Sequence, residues 1–158
     1  MQLHGFARNL DWALTSTTGG ESPSVEMTLS DTDETRKMWP TAFKATQTIK
    51  LHGNKLTATL KVHNPTQQLF SFTSSFHTYF SVSDLAAVKV EGLSGLKMLD
   101  RTVTPNKEGV APAAPVAVAG PVDSVYYNAP AKLTLQTGGV RDARALVEKR
   151  VLLTRSCM

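Results

Sequence analysis

The stretch that decides the fold class is LTATLKV, residues 56–62. Leucine, alanine and valine occupy every second position, and threonine and lysine occupy the positions between them. Because successive side chains of a strand point to opposite faces, this alternation predicts a strand with one buried face. The Thr-rich segment 42–51 precedes it, and the turn-forming residues 52–55 (HGNK) separate the two. We therefore predict an antiparallel hairpin.

Short segments of the same character continue along most of the chain. No internal segment shows a clear helical period, and five of the eight prolines fall within residues 105–130. Because proline fixes φ and cannot donate to a ladder, we expect this region to be a long irregular excursion, apart from a strand near its end. Together these features predict an all-β protein, a sandwich of antiparallel strands. Further strands are predicted at residues 25–30, 69–73, 76–82, 87–90, 124–127 and 132–135.

The composition changes near the C-terminus. Residues 138–158 carry five cations and two anions, a net charge of +3 out of the total of +4. Residues 141–150 favour a helix by propensity, and the alternative is a segment with no settled partner. We expect a partial β-sandwich at residues 1–137 and a divergent basic tail at residues 138–158. Because the cations collect in a tail without interleaved aromatic residues, we expect no nucleic-acid binding.

The sequence argues against several classes of protein. No apolar run approaches the roughly 20 residues of a membrane-spanning helix, and the first residues lack the pattern of a secretory signal. The single cysteine, Cys157, excludes an internal disulfide and a cysteine-based zinc site. We expect a cytoplasmic protein that does not bind membranes. The chain also begins abruptly, so we expect that sequence is missing at one or both ends.

The four histidines are the first candidates for chemistry. His52 lies in the predicted turn and His63 ends a predicted strand, so both are expected at the surface. His77 lies within FHTYF, residues 76–80, where aromatic neighbours could desolvate the imidazole. Such a histidine can be tuned near neutral pH, as a general acid or base must be. The alternative is a core histidine whose nitrogens are satisfied by backbone groups.

Three sequence blocks point to a known family. They are HGFARN at residues 4–9, followed by Trp12, then FHTYF at 76–80 and VEGL at 90–93. In this order they resemble the hexose-6-phosphate mutarotases, also called glucose-6-phosphate 1-epimerases. These form a branch of the aldose 1-epimerase (galactose mutarotase-like) superfamily. The resemblance covers residues 4–135 and implies a large antiparallel β-sandwich, of which this chain would form a part.

The resemblance also implies an activity and a set of site residues. The activity is the interconversion of the α and β anomers of a hexose 6-phosphate, the expected partner, and it needs no metal or other cofactor. The catalytic acid would be His77. Arg8 would bind the sugar phosphate or nearby hydroxyls, and His4 would line the sugar pocket. Asp123 would contact the sugar hydroxyls, although it could instead be a turn residue. The oligomeric state is not implied.

The chain also departs from the family pattern. Leu3 stands where the family has a substrate-contacting glutamine. The family's general base is a glutamate on a late strand, and the expected strands do not follow residue 135. Because Glu148 lies in an arginine-rich segment that favours a helix, we do not assign the base to it. Two other functions stay open: a non-catalytic carbohydrate-binding β-sandwich, and an interaction protein that binds through its basic tail.

Overall fold

A computed structural model describes residues 4–138 and 144–151. The chain divides into two compact units, unit 1 (Met1–Ser75) and unit 2 (Phe76–Met158). Within the described ranges, no helix has the length and apolar character needed to cross a lipid bilayer. The helical segments are α1 (Asp33–Met38) and two 3-10 turns, Ala7–Asn9 and Leu85–Ala87. The strands are β1 (Ala13–Thr18), β2 (Ser24–Ser30), β3 (Lys44–His52), β4 (Lys55–His63), β5 (Lys89–Glu91), β6 (Lys97–Asp100), β7 (Lys107–Val110), β8 (Val116–Ala117), β9 (Ser124–Tyr126), β10 (Lys132–Gln136) and β11 (Arg144–Glu148).

Unit 1 contains a four-stranded antiparallel sheet in the order β1-β2-β3-β4. The predicted hairpin is confirmed, because β3 and β4 pair along their whole length, from Lys44 opposite His63 to His52 opposite Lys55. Gly53, in the turn between them, has a φ of +56°, a conformation that costs glycine little. Each strand pairs with its neighbour in sequence, so this sheet is held by local connections.

The core of unit 1 lies on one face of this sheet. Leu29 on β2 and Ala45 on β3 are directly opposite each other and are both buried. Phe43, just before β3, is 4% exposed, and its ring centroid lies 5.4 Å from that of Trp39. Partly buried apolar side chains pack against these three residues: Phe6, Leu10, Trp12, Trp39 and Leu60.

Helix α1 connects β2 to β3 and was not expected from the hydrophobic pattern. Its first turn is closed by a capping box: the Thr35 amide donates to the Thr32 hydroxyl at 3.2 Å, and the Thr32 amide donates to the Thr35 hydroxyl at 2.8 Å. The Asp31 amide donates to the Phe43 carbonyl, and the Asp31 carboxylate accepts from the Phe43 amide at 3.0 Å. The hydrogen bonds at its ends therefore fix the helix. Its six residues are too few to show a helical period in the sequence.

Unit 2 contains two smaller antiparallel sheets, with strand orders β11-β10-β5-β8 and β7-β6-β9. Its strands have only two to five residues. Gly138 is buried with a φ of +66°, and a Cβ placed on it would overlap the Cβ of Ala87. The Ser83 hydroxyl donates to the Gly138 carbonyl at 2.8 Å. The buried apolar residues of unit 2 are Val88, Leu93, Ala111 and Leu135.

The expected C-terminal helix is wrong. Residues 144–148 form β11, which pairs with all of β10, from Lys132 opposite Glu148 to Gln136 opposite Arg144. Helix propensity is a weak preference, and pairing with the edge of β10 outweighs it. Residues 139–143 and 152–158 of the predicted tail lie outside the described residues. The domain boundary at residue 138 stays a prediction.

Other predicted elements need correction. Residues 69–73 and 76–82 are not strands, because they join no ladder in the part of the chain that the structure describes. The region 105–130 is also less irregular than expected, since it contains β7 and β8 as well as the predicted β9. For residues 76–80, the sequence pattern alone is not sufficient for a strand, because a strand also needs a neighbouring strand as its hydrogen-bonding partner.

Candidate active site

The segment that carries His4 and Arg8 is anchored in unit 1. Phe6 packs near the buried Phe43, with ring centroids 5.9 Å apart, and the Trp12 indole donates to the Ala7 carbonyl at 2.8 Å. Both His4 and Arg8 are exposed, and Arg8 lies in the 3-10 turn Ala7–Asn9. Phe6 of the HGFAR block thus packs against the core, whereas Ala7 is exposed. The two polar members are left at the surface, where they can meet a ligand.

His77 lies in unit 2 on an irregular segment. Its ring stacks on the ring of Tyr79, with centroids 4.9 Å apart and planes at 26°. All residues from 71 to 80 are exposed, including Phe76 and Phe80. The expectation that aromatic neighbours desolvate the imidazole is therefore wrong. The neighbours orient the ring by stacking, but they leave it open to water.

Asp123 lies in unit 2 immediately before β9. Its carbonyl accepts a hydrogen bond from the Arg101 amide at 2.8 Å, and its Oδ2 lies 3.8 Å from Arg101 Nε. Its side chain is 59% exposed. Arg101 precedes Asp123 by 22 residues, so this contact joins positions that are distant in the sequence. No local motif could have indicated it.

The four predicted site residues are divided between the units. His4 and Arg8 belong to one segment of unit 1, whereas His77 and Asp123 belong to unit 2. Their grouping in one pocket stays a prediction. A cavity of about 90 Å³ in unit 1 lies between segments 40–42 and 66–70, and one of about 70 Å³ in unit 2 lies between 129–133 and 147–149. Neither cavity is lined by a predicted site residue.

Glu148 is a late carboxylate, and it lies at the end of β11. The Glu148 carboxylate lies 2.9 Å from the Arg150 guanidinium, so this side chain is engaged in an ion pair at the end of β11. The helical setting that was the ground for not assigning the general base to Glu148 is wrong, because Glu148 ends strand β11. The general base stays unassigned. Among residues 4–138 and 144–151, no group of three or more His, Cys, Asp or Glu side chains is arranged to hold a metal ion.

Comparison with known proteins identifies the family. Residues 1–149 match the family model described as aldose 1-epimerase. The chain belongs to the aldose 1-epimerase family. It is similar to a protein of Cenchrus ciliaris named "Putative glucose-6-phosphate 1-epimerase", with 30% identity over 85% of this chain and 44% of the relative. Proteins of the same name from Salmonella typhimurium and Escherichia coli are 38% and 35% identical, over 79% and 81% of this chain and 40% and 42% of their own lengths.

A solved structure supports the same assignment. The crystal structure of a "putative mutarotase" from Salmonella typhimurium matches with a TM-score of 0.76 and 33% identity, over 87% of this chain and 44% of that protein. The predicted family and the all-β, antiparallel mutarotase-like fold class are thereby confirmed. The chain spans less than half the length of each of these relatives.

Proposed function

We propose that this chain takes part in the interconversion of the α and β anomers of a hexose 6-phosphate. The observation that carries the proposal is the similarity, over about four-fifths of this chain, to three proteins named "Putative glucose-6-phosphate 1-epimerase". The exposed imidazole and guanidinium groups of the sequence blocks supply chemistry that suits this substrate. An imidazole exchanges protons near neutral pH, and a guanidinium binds phosphate through paired hydrogen bonds.

The reaction opens and closes the sugar ring. A base removes the proton of the C1 hydroxyl, the bond between C1 and the ring oxygen breaks, and an acid protonates the ring oxygen. Rotation about the C1–C2 bond followed by the reverse steps gives the other anomer. In our assignment His77 is the acid, Arg8 binds the phosphate, and His4 and Asp123 contact the sugar. Each positioned proton transfer contributes about 10²–10⁴-fold to the rate.

The test is the equilibration of freshly dissolved α-glucose 6-phosphate, followed by polarimetry. We expect His77→Ala to reduce the protein-dependent rate by about 10²-fold or more. The matched control is His63→Ala, since His63 is also an exposed histidine but ends β4 outside the sequence blocks. Equal rates for wild type and His77→Ala, both above the buffer background, would reject His77 as the acid.

The second candidate is a non-catalytic carbohydrate-binding β-sandwich. What favours it is that the acid has no assigned general base, and Glu148, on the last strand that the structure describes, is ion-paired with Arg150. In that case the wild-type rate equals the buffer background, while NMR titration still detects glucose 6-phosphate binding. Arg8→Ala should then weaken glucose 6-phosphate binding more than glucose binding, because it removes the phosphate contact.

A further inference from the structure

The end of β6 and the start of β9 bring Arg101 beside Asp123. The ladder between these strands ends with Asp100 opposite Ser124. One residue further, the Arg101 amide donates to the Asp123 carbonyl at 2.8 Å. This bond continues the pairing beyond the strands. It fixes the two backbones side by side, so that both side chains start from defined positions.

The two side chains approach each other without closing a hydrogen bond. Arg101 Nε lies 3.8 Å from Asp123 Oδ2, and the side chains are 52% and 59% exposed. Such a distance is longer than a hydrogen bond, and an exposed pair of this kind contributes little to stability. The guanidinium therefore attracts the carboxylate to one side but leaves its oxygens able to accept hydrogen bonds from hydroxyl groups.

Asp100 holds the backbone on the other side of Arg101. Its Oδ1 accepts hydrogen bonds from the Thr102 hydroxyl at 2.6 Å and from the Thr102 amide at 2.8 Å. These two bonds, with the cation of Lys107 nearby, lower the pKa of Asp100, so the carboxylate is charged at neutral pH. An aspartate that binds the amide two residues ahead stabilises a turn. Arg101 is therefore held between an anchored turn and the Asp123 carbonyl.

We propose that Arg101 is a positioning residue for Asp123, which it holds in place to accept hydrogen bonds from sugar hydroxyls. Arg101 itself does not contact the sugar or its phosphate. The inference rests on the proposed function, in which Asp123 binds the hydroxyls. A carboxylate that accepts hydroxyl protons makes charge-assisted hydrogen bonds, so its orientation affects sugar affinity.

The test measures the dissociation constants of the full chain for glucose 6-phosphate and for glucose by NMR titration. We expect Arg101→Gln to weaken both by about two- to fivefold, as the loss of one exposed ion pair does. Arg101→Lys should restore the affinity to within about twofold of wild type, because it keeps the charge. In the Asp123→Asn background, Arg101→Gln should have no further effect, because Arg101 acts only through that carboxylate.

The matched control is Glu108→Gln. Glu108 on β7 pairs with Lys97 on β6 at 3.0 Å, and both side chains are exposed to a similar extent as the Arg101–Asp123 pair. Removing the Lys97–Glu108 ion pair should leave the affinities for glucose 6-phosphate and glucose unchanged. The control thus shows whether losing any ion pair from this sheet weakens binding, or only the pair that includes Asp123.

The other outcomes contradict either the positioning role or the proposed function. If Asp123→Asn weakens binding but Arg101→Gln does not, the positioning role is overturned and the proposed function stands. If Arg101→Gln weakens only glucose 6-phosphate binding, Arg101 contacts the phosphate and the positioning role is again overturned. If the wild-type chain binds neither sugar, the proposed function is overturned, and the positioning role with it.

Discussion

Unit 1 and unit 2 bury their cores in different ways. In unit 1, strands of six to nine residues pair with their neighbours in sequence, and aromatic rings gather around Phe43. In unit 2, strands of two to five residues form pairs of consecutive strands, such as β6 with β7, and also join partners distant in sequence, such as Val90 opposite Leu135. Its backbones also approach closely, as at Gly138 and Ala87. The stability of unit 1 should therefore depend on the volume of its buried side chains. The stability of unit 2 should depend on glycine at the point where two backbones approach closely.

The largest effect is expected for Phe43→Ala in unit 1. Truncating a buried phenylalanine removes its transfer free energy and leaves a cavity, so the free energy of unfolding should fall by about 3–5 kcal/mol. The measurement is urea denaturation, with hydrogen exchange of the β2 and β3 amides as a local readout. The control is Leu56→Ala, at a position on β4 that is 61% exposed. A loss no larger for Phe43→Ala than for the control would contradict a core built on side-chain volume.

A smaller loss is expected for Gly138→Ala in unit 2. The added methyl group overlaps Ala87, and alanine is disfavoured at a φ of +66°. Together these effects should reduce the free energy of unfolding by about 2–4 kcal/mol. Gly109→Ala is the control, because a Cβ at Gly109 on β7 meets no atom within 4 Å. If both variants unfold at the same urea concentration, close backbone approach does not stabilise unit 2.

The smallest effect concerns pH. Hydrogen bonding from the Phe43 amide, and then from Arg36, lowers the pKa of Asp31 below its ordinary value of 3.8. Because the folded state then binds the proton less tightly than the unfolded chain, Asp31 stabilises the fold above about pH 4. That contribution is lost as the pH falls below 4 through the folded pKa. Asp31→Asn should therefore lose about 1 kcal/mol at pH 7 and show a weaker decline in acid.

Urea denaturation between pH 2.5 and pH 7 measures this difference. Asp100→Asn is the comparison from unit 2, where the pKa is also lowered but the carboxylate bonds to Thr102, only two residues away. We expect the pH dependence to change less for Asp100→Asn than for Asp31→Asn, because the unfolded chain can retain contacts between near neighbours, whereas the Asp31–Phe43 bond needs the fold. If the pH dependence of the free energy of unfolding changes more for Asp100→Asn than for Asp31→Asn, this expectation is contradicted.

The strands with clear alternation and a short connection could be predicted from the sequence. The β3–β4 hairpin and strands β2, β9 and β10 agree with the prediction to within a few residues. Helix α1 could have been found from Thr32, the acidic pair that follows it and the basic pair in its last turn, which is the pattern of a capped helix. The missed strands β6 and β7 pair with each other, and β6 also pairs with the more distant β9. The segments 69–73 and 76–82, predicted as strands, find no such partner among the described residues.

Of the candidate site, the sequence blocks indicated the residues but not their surroundings. His77 was expected in an apolar environment and is exposed, and the neighbours of Asp123 could not be predicted. Solvent exposure and ion pairs depend on which segments are packed nearby, and side-chain type alone does not specify that.

The amino-acid sequence by itself determined the family, the all-β character and the longest hairpin of this protein. Each of these is recorded in neighbouring residues: an ordered set of motifs, a two-residue period and a turn between two strands. Only the tertiary structure decided that residues 144–148 form a strand and that Arg101 lies beside Asp123. Residues 144–148 are a strand because the edge of β10 offers them hydrogen-bonding partners, and Arg101 lies beside Asp123 because β6 pairs with β9. Such bonds are made only when the fold brings the two backbones together.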